Sequence, residues 1–257
     1  MTPLPSTDPL DILAIAAHRD DVEQTCGGTL LKASQRGQRT GILDLTQGEM
    51  GTRGTADDRE REANDAAKIL GVSWRRALDI PDGRVENTWE NRLKVAAVLR
   101  ETRPHVVILP YWEGRHPDHY TASILGYEAC FLAGLAKLDP GRQASGVREP
   151  HSAGSLAPHR PFKIIYATLY YDIRPTFVVE ISDQFEGKFA SILAYKSQFS
   201  DQEAGKDLFP AHDAIRARVD SMARFYGALG GVTHAEPFLQ KEVGLVEDLL
   251  AIPVKSI

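Results

Sequence analysis

Two short segments of this chain gather the residues that could do chemistry: Ala17-His18-Arg19-Asp20-Asp21-Val22-Glu23 and Gly114-Arg115-His116-Pro117-Asp118-His119. A histidine and a carboxylate three residues apart converge on one cation where the chain turns, and that pair suits Zn²⁺ or a similar divalent ion. The second segment holds two histidines and a carboxylate within four residues. A catalytic zinc site needs three protein ligands and one open position. His18, Asp21 and one of His116 and His119 supply that count. Asp20, spare as a ligand, can accept a proton from water, while the other histidine stabilises an oxyanion or protonates a leaving amine. Taken singly, each segment has a plainer reading. Asp20-Asp21 would serve as a helix cap with a solvated charge, and His-Pro-Asp-His as a capped helix start. Their joint occurrence after two apolar runs favours the metal site.

For the two segments to meet, those apolar runs must lie in one sheet. Residues 11–17 and 105–110 read as buried strands, the second bounded by prolines. Further strand-length runs at 40–45, 74–78, 163–169 and 176–181 alternate with helical spacing over 21–36, 57–70, 88–103, 117–138, 184–198 and 212–229. That alternation is the pattern of βαβ units and a mainly parallel sheet. Ligands of such sheets bind at the carboxyl ends of strands, so both segments fall on one edge. Gly27-Gly28 lowers helix propensity and implies close backbone packing, and Gly71 stops a helix. Residues 139–161, rich in Gly, Pro, Ser, Arg and His without a period, are expected to form an exposed, mobile loop. With no repeat or linker, residues 1–257 are expected to form a single domain.

The 257 residues are 42% hydrophobic and 25% charged, with 30 Lys+Arg against 35 Asp+Glu for a net charge of −5. Disorder, collagen-like repeats and coiled coil are excluded on those values. No apolar run approaches the ~20 residues of a membrane span, and Met1-Thr2-Pro3-Leu4-Pro5 does not open a signal peptide. Without a basic stripe, neither nucleic acid nor membrane is an expected partner, which leaves a small molecule. Cys26 and Cys130 match no metal or redox spacing and fit buried thiols in a reducing, cytoplasmic setting. A metal site here must therefore be built from His and Asp. No Gly-x-Gly-x-x-Gly follows the first strand, and neither a P-loop nor a Gly-x-Ser-x-Gly elbow occurs.

The two segments, together with Gly27-Gly28-Thr29, Leu45-Thr46-Gln47-Gly48-Glu49-Met50-Gly51-Thr52-Arg53-Gly54-Thr55, Tyr195-Lys196-Ser197-Gln198 and Glu236-Pro237-Phe238, give a resemblance to a known family. The chain resembles the PIG-L/LmbE-like zinc deacetylases over most of its length, and among them the deacetylases of bacillithiol biosynthesis. The resemblance implies an α/β fold, a Rossmann-like three-layer sandwich with a mainly parallel central sheet. It implies one Zn²⁺ per chain on His18, Asp21 and His119, with Asp20 as general base. His116 becomes the acid or oxyanion stabiliser, oriented by Asp118, and Tyr195 helps hold the tetrahedral intermediate. Arg53 is implied to contact substrate, where a guanidinium could pair with a malate carboxylate. The implied reaction is hydrolysis of the N-acetyl group of N-acetyl-α-D-glucosaminyl L-malate to glucosaminyl malate and acetate. Alternatives are a deacetylase of N-acetylglucosamine or chitin-type oligosaccharides, an amidase of a thiol conjugate, and a non-catalytic sugar- or nucleotide-binding module. Relatives also imply a homo-oligomer, with a hexamer among the expected forms. Where many relatives carry proline this chain has Arg19, and its 139–161 segment is longer than usual.

Overall fold

A computed structural model describes residues 8–140, 156–168, 173–199 and 212–254. The apolar runs form one sheet of seven strands: β1 (Ile12–Ala16), β2 (Thr40–Asp44), β3 (Trp74–Ala77), β4 (Val106–Pro110), β5 (Lys163–Ala167), β6 (Phe177–Glu180) and β7 (Ala235–Leu239). Their order is β3-β2-β1-β4-β5-β7-β6. The five strands from β3 to β5 are parallel, and β7 runs antiparallel to both β5 and β6. In β1 the side chains alternate between two cores. Leu13 and Ile15 pack with Leu99 and Ala129, whereas Ala14 and Ala16 pack with Val22, Cys26 and Leu30. A strand covered on both faces must be apolar throughout, which is why this run lacks polar alternation.

The helices are α1 (Asp21–Thr25), α2 (Gly27–Gln35), α3 (Ala56–Ile69), α4 (Trp89–Thr102), α5 (Pro117–Ala133), α6 (Phe185–Leu193), α7 (Lys196–Phe199) and α8 (His212–Gly230). Residues of α4 and α5 cover one face of the sheet and those of α1 and α2 the other, giving the three-layer α/β sandwich. From β1 the chain builds outward to β3 and then returns to β4 on the opposite side of β1. That reversal opens a crevice at the carboxyl ends of β1 and β4. Among the described residues no helix is long and apolar enough to cross a membrane.

Several elements differ from their sequence expectations for identifiable reasons. The helix expected over 21–36 breaks at Cys26, whose backbone (φ −135°, ψ 18°) leaves the helical region. The carboxylate of Glu236 on β7 then accepts from the amides of Gly28 (2.8 Å) and Thr29 (2.7 Å), capping α2 as a separate helix. Gly28 permits this approach, since a Cβ there would lie 2.8 Å from Cδ1 of Ile181. The helix expected over 184–198 splits into α6 and α7, and the second piece begins where Glu62 accepts from the amide and hydroxyl of Ser197. α5 ends at Ala133 rather than 138 because the buried Arg100 takes the carbonyls of Ala133 and Leu135 (2.9 and 2.7 Å). β7 had no counterpart among the expected strands, since its Pro237 argues against one. Pro237 is tolerated because β5 pairs only with Phe238 and Leu239. Of the expected 139–161 loop, residues 141–155 lie outside the described residues. Its far flank is tied down, with the His159 amide donating to Ala133 and Arg100 donating to the Leu156 carbonyl.

Candidate metal and active site

The two segments meet at the crevice. His18 follows β1, Asp21 opens α1, and His119 lies in the first turn of α5 beyond β4. His18 Nδ1 is 3.2 Å from His119 Nε2 and 3.3 Å from Asp21 Oδ2, and His119 Nε2 is 3.1 Å from Asp21 Oδ1. Ligands 2.0–2.1 Å from a tetrahedral zinc stand ~3.3 Å from one another. Two imidazole nitrogens and a carboxylate at this spacing therefore fit a divalent cation. The backbone amide of His18 donates to Asp21 Oδ2 (3.0 Å), closing the turn that brings the two together.

Behind His18 stands a second row. Its Nε2 lies 3.2 Å from Asp82 Oδ1 and 3.3 Å from Asp118 Oδ2, so carboxylates orient the ring and direct Nδ1 at the site. Asp118 is held by the amides of Gly83 (2.8 Å) and Val85 (3.1 Å). Asp82 in turn accepts from the Met50 amide (3.0 Å). Burial pushes His18 down, but Asp21, Asp118 and Asp82 outweigh it and raise its pKa to about 12. Asp21 moves well below the usual carboxylate range: burial opposes the shift, and His119 and His18 overcome it. His119 is raised against its own burial by Asp21. These shifts set two imidazoles that favour their charged form against a carboxylate that favours its own.

Asp20 stands at the N-cap position of α1 without making a side-chain cap bond. Its Oδ1 instead accepts from the buried Arg59 (3.1 Å), so the simple capping role does not apply. His116 does cap α5: its Nδ1 accepts from the Asp118 amide (3.2 Å), with Pro117 at the first helical position. That bond leaves the proton on Nε2, and burial together with His18 and His119 lowers the His116 pKa. His116 is therefore a neutral hydrogen-bond donor, stacked on His119 at 4.9 Å between ring centroids. The orienting contact expected from Asp118 comes from its backbone, while its carboxylate serves His18.

Tyr195 and Arg53, expected to touch the intermediate and the substrate, are engaged in internal contacts. The Tyr195 hydroxyl is fully buried and donates to Glu23 Oε1 (3.0 Å), committed there rather than to a reaction intermediate. Arg53 is only 4% exposed, and its guanidinium donates to the Gln198 carbonyl while the Gln198 amide donates back to the Arg53 carbonyl (2.7 Å). It ties its loop to α7, and a substrate carboxylate would have to displace that packing.

Three residues with a hand in the site were not singled out from sequence: Arg59, Asp82 and Arg75. Arg75 on β3 grips both oxygens of Asp44 (2.9 and 3.0 Å), Glu23 (2.6 Å), and the carbonyls of Ala63 (3.1 Å) and Arg19 (2.9 Å). The last contact pins the turn that carries Asp20 and Asp21. Arg19 itself is buried, and its guanidinium donates to the Ala56 carbonyl (2.9 Å). The turn is therefore held by hydrogen bonds where a proline would hold it by ring geometry. For Asp82, the Pro81-Asp82-Gly83 turn signal was visible, but not which way the side chain faces.

A cleft of about 490 Å³ lined by residues including Tyr111, Glu113, Arg115 and Arg174 shares Tyr111 and Glu113 with the pocket lined by Asp21 and His119. Comparison with known proteins gives the following likenesses. The profile of the PIG-L family, described as GlcNAc-PI de-N-acetylase, matches residues 13–130. The diacetylchitobiose deacetylase of Thermococcus kodakarensis is 32% identical over 243 residues, spanning 90% of this chain and 83% of that protein. Among solved structures, the conserved protein TT1542 of Thermus thermophilus aligns with a TM-score of 0.78 and 39% identity, over 93% of this chain and 98% of the other. The N,N'-diacetylchitobiose deacetylase of Pyrococcus horikoshii, solved with its inhibitor MPG, aligns with a TM-score of 0.74 and 26% identity, over 91% and 84%.

Proposed function

Because the chain belongs to the PIG-L family of N-acetylglucosamine-type deacetylases, we propose that it is zinc-dependent and acts on an N-acetylglucosaminide with an anionic aglycone, N-acetylglucosaminyl malate. The observation that carries the zinc reading is the triad of His18, Asp21 and His119, with donors 3.1–3.3 Å apart and Asp20 alongside. Bound there, the ion would polarise the amide carbonyl and lower the pKa of a water toward ~7. Asp20, fixed by Arg59, takes the proton of the attacking water. The Nε2–H of His116 donates to the developing oxyanion, and proton return to the glucosamine nitrogen releases acetate and the amine. The malate reading draws support from the cleft lined by Arg115, Arg174 and Glu113, where two guanidinium groups against one carboxylate suit an anionic aglycone. A second reading, deacetylation of chitin-type oligosaccharides, is favoured by the similarity to the diacetylchitobiose deacetylases.

Amine release from N-acetylglucosaminyl malate and from diacetylchitobiose, measured on one zinc-loaded preparation, separates the two. A higher kcat/KM on the chitobiose would overturn the malate assignment. Asp20→Asn should retain one zinc per chain and lose about 10²–10⁴-fold in kcat. Native turnover with the metal in place would remove Asp20 from the role of base.

A further inference from the structure

The strands that end at the crevice carry small side chains on one face. Ala14 and Ala16 on β1 and Ala167 on β5 pack toward Val22 and Cys26, with Ile108 on the intervening strand β4. Strands favour β-branched and aromatic side chains, which fill the space over a sheet, and three alanines leave it open. Below α1 these six residues border a recess of about 30 Å³ whose wall also includes Asp21 and His119. The Thr25 hydroxyl at its edge donates to the Asp21 carbonyl (2.8 Å), and burial pushes the Cys26 thiol up to about 12, which keeps it neutral. Apolar walls of this kind hold water poorly. Thr25 also borders a second, largely apolar cavity of about 70 Å³, lined by Ile192 of α6 and by Ile215 and Val219 of α8.

We propose that this recess receives the acyl chain of the substrate and has room for one carbon more than acetyl, so that the protein hydrolyses N-propionyl amides as well as N-acetyl ones. The proposal rests on the amide-hydrolysis reading above. An amide carbon placed for attack beside Asp20 has three substituents to house. Its oxygen faces the triad and His116. Its nitrogen leads to the sugar and aglycone, which need the cleft of about 490 Å³. The acyl chain is left with the recess, which adjoins Asp21 and His119 and shares Tyr111 and Glu113 with that cleft. A water-sized group needs roughly 10–15 Å³ of such space, so a recess of about 30 Å³ takes about two carbon groups beyond the carbonyl. Acetyl supplies one and propionyl two. A hexanoyl chain, with its longer tail, would run into Thr25, where the second cavity begins.

Calorimetric titration of the zinc-loaded protein with acetate, propionate and hexanoate reads the recess without turnover. Propionate should bind about fourfold more tightly than acetate, the gain for one buried methylene, and hexanoate no more tightly than propionate. Amine release from N-acetyl-, N-propionyl- and N-hexanoylglucosaminyl malate, and from the same acyl series on chitobiose, should give propionyl a kcat/KM at least equal to that of acetyl, with hexanoyl about tenfold or more below both. Ala167→Val adds two methyl groups at a strand position, where valine is favoured, and fills the recess, so the propionyl-to-acetyl ratio should drop about tenfold or more. Thr25→Ala joins the two cavities and should raise the hexanoyl-to-acetyl ratio by a similar factor. Zinc content shows that the triad of each variant is intact. Propionate bound no more tightly than acetate, a propionyl substrate cleaved less efficiently than the acetyl one, or a ratio unmoved by Ala167→Val overturns the proposal. Absence of turnover on every substrate, with the carboxylate series as expected, would instead remove the amide-hydrolysis reading and uphold the recess.

Discussion

Two polar clusters lie on either side of the turn after β1, and they solve the same problem in opposite ways. On the crevice side, His18, Asp21 and His119 crowd donor atoms 3.1–3.3 Å apart with no lysine or arginine among them. On the other side, Glu23 and Asp44 converge on Arg75, which brings its own positive charge into a site 6% exposed. A cluster that contains its counter-ion is finished on folding. One that lacks it is open to a metal. The difference assigns the first to chemistry and the second to support, and it can be broken experimentally.

The largest contrast comes from removing one member of each. Arg75→Met leaves Glu23 and Asp44 buried without a cation, a situation that costs about 3–5 kcal/mol. Burial already pushes both carboxyls up, so adding Glu23→Gln and Asp44→Asn should recover part of that loss in a denaturant titration. Asp21→Ala should cost less metal-free stability than Arg75→Met, because His18 and His119 can shed their protons whereas Glu23 and Asp44 would stay buried without a cation. The same variant should lose bound zinc and about 10³-fold or more in kcat. Equal stability losses from Arg75→Met and Asp21→Ala would abolish the distinction.

The protons of the first cluster provide a smaller but sharper test. His18 is raised from 6.5 to about 12, so its contribution to metal-free stability is fully present below about pH 6.5 and is lost as pH rises toward 12. Asp21 is depressed from 3.8, so its contribution is present above that pH and is lost on acidification through its lowered value. A metal ligand must be deprotonated. Zinc binding near pH 7 should therefore expel a proton, and apparent affinity should rise about tenfold per pH unit for each proton expelled. Titration calorimetry in two buffers of different ionisation enthalpy reads that number directly. Identical heats would mean that His18 is already neutral.

The sequence carried the crevice more clearly than its supports, for a physical reason. His18, Asp21 and His119 follow the two most apolar runs, and the parallel-sheet pattern alone places those ends together. Even so, spacing left His116 and His119 interchangeable, and only the resemblance chose between them. Arg75, Arg59 and Asp82 act through partners tens of residues away, and no periodicity marks such a contact. Arg75 lies on the edge strand β3, where an arginine ordinarily faces water. The parallel half of the sheet follows from βαβ alternation, whereas β7 hides behind Pro237 because antiparallel insertion leaves no comparable pattern. The breaks at Cys26 and before α7 depend on Glu236 and Glu62, each capping a helix distant in sequence.

The finest separation concerns Tyr195, the residue the resemblance placed on the crevice side and the structure places on the other. Its hydroxyl supplies one hydrogen bond to Glu23 Oε1, which Arg75 also holds, and its ring lies 5.4 Å from the Arg59 guanidinium that orients Asp20. Tyr195→Phe deletes the hydrogen bond and keeps the ring under Arg59. Stability should fall by about 1 kcal/mol, while kcat and zinc content stay near native. A hydroxyl that stabilised an oxyanion would give the reverse split, about 10²–10³-fold in kcat at unchanged stability. Measuring unfolding free energy and kcat on the same variant therefore decides which cluster owns the residue, because the two effects fall on different observables.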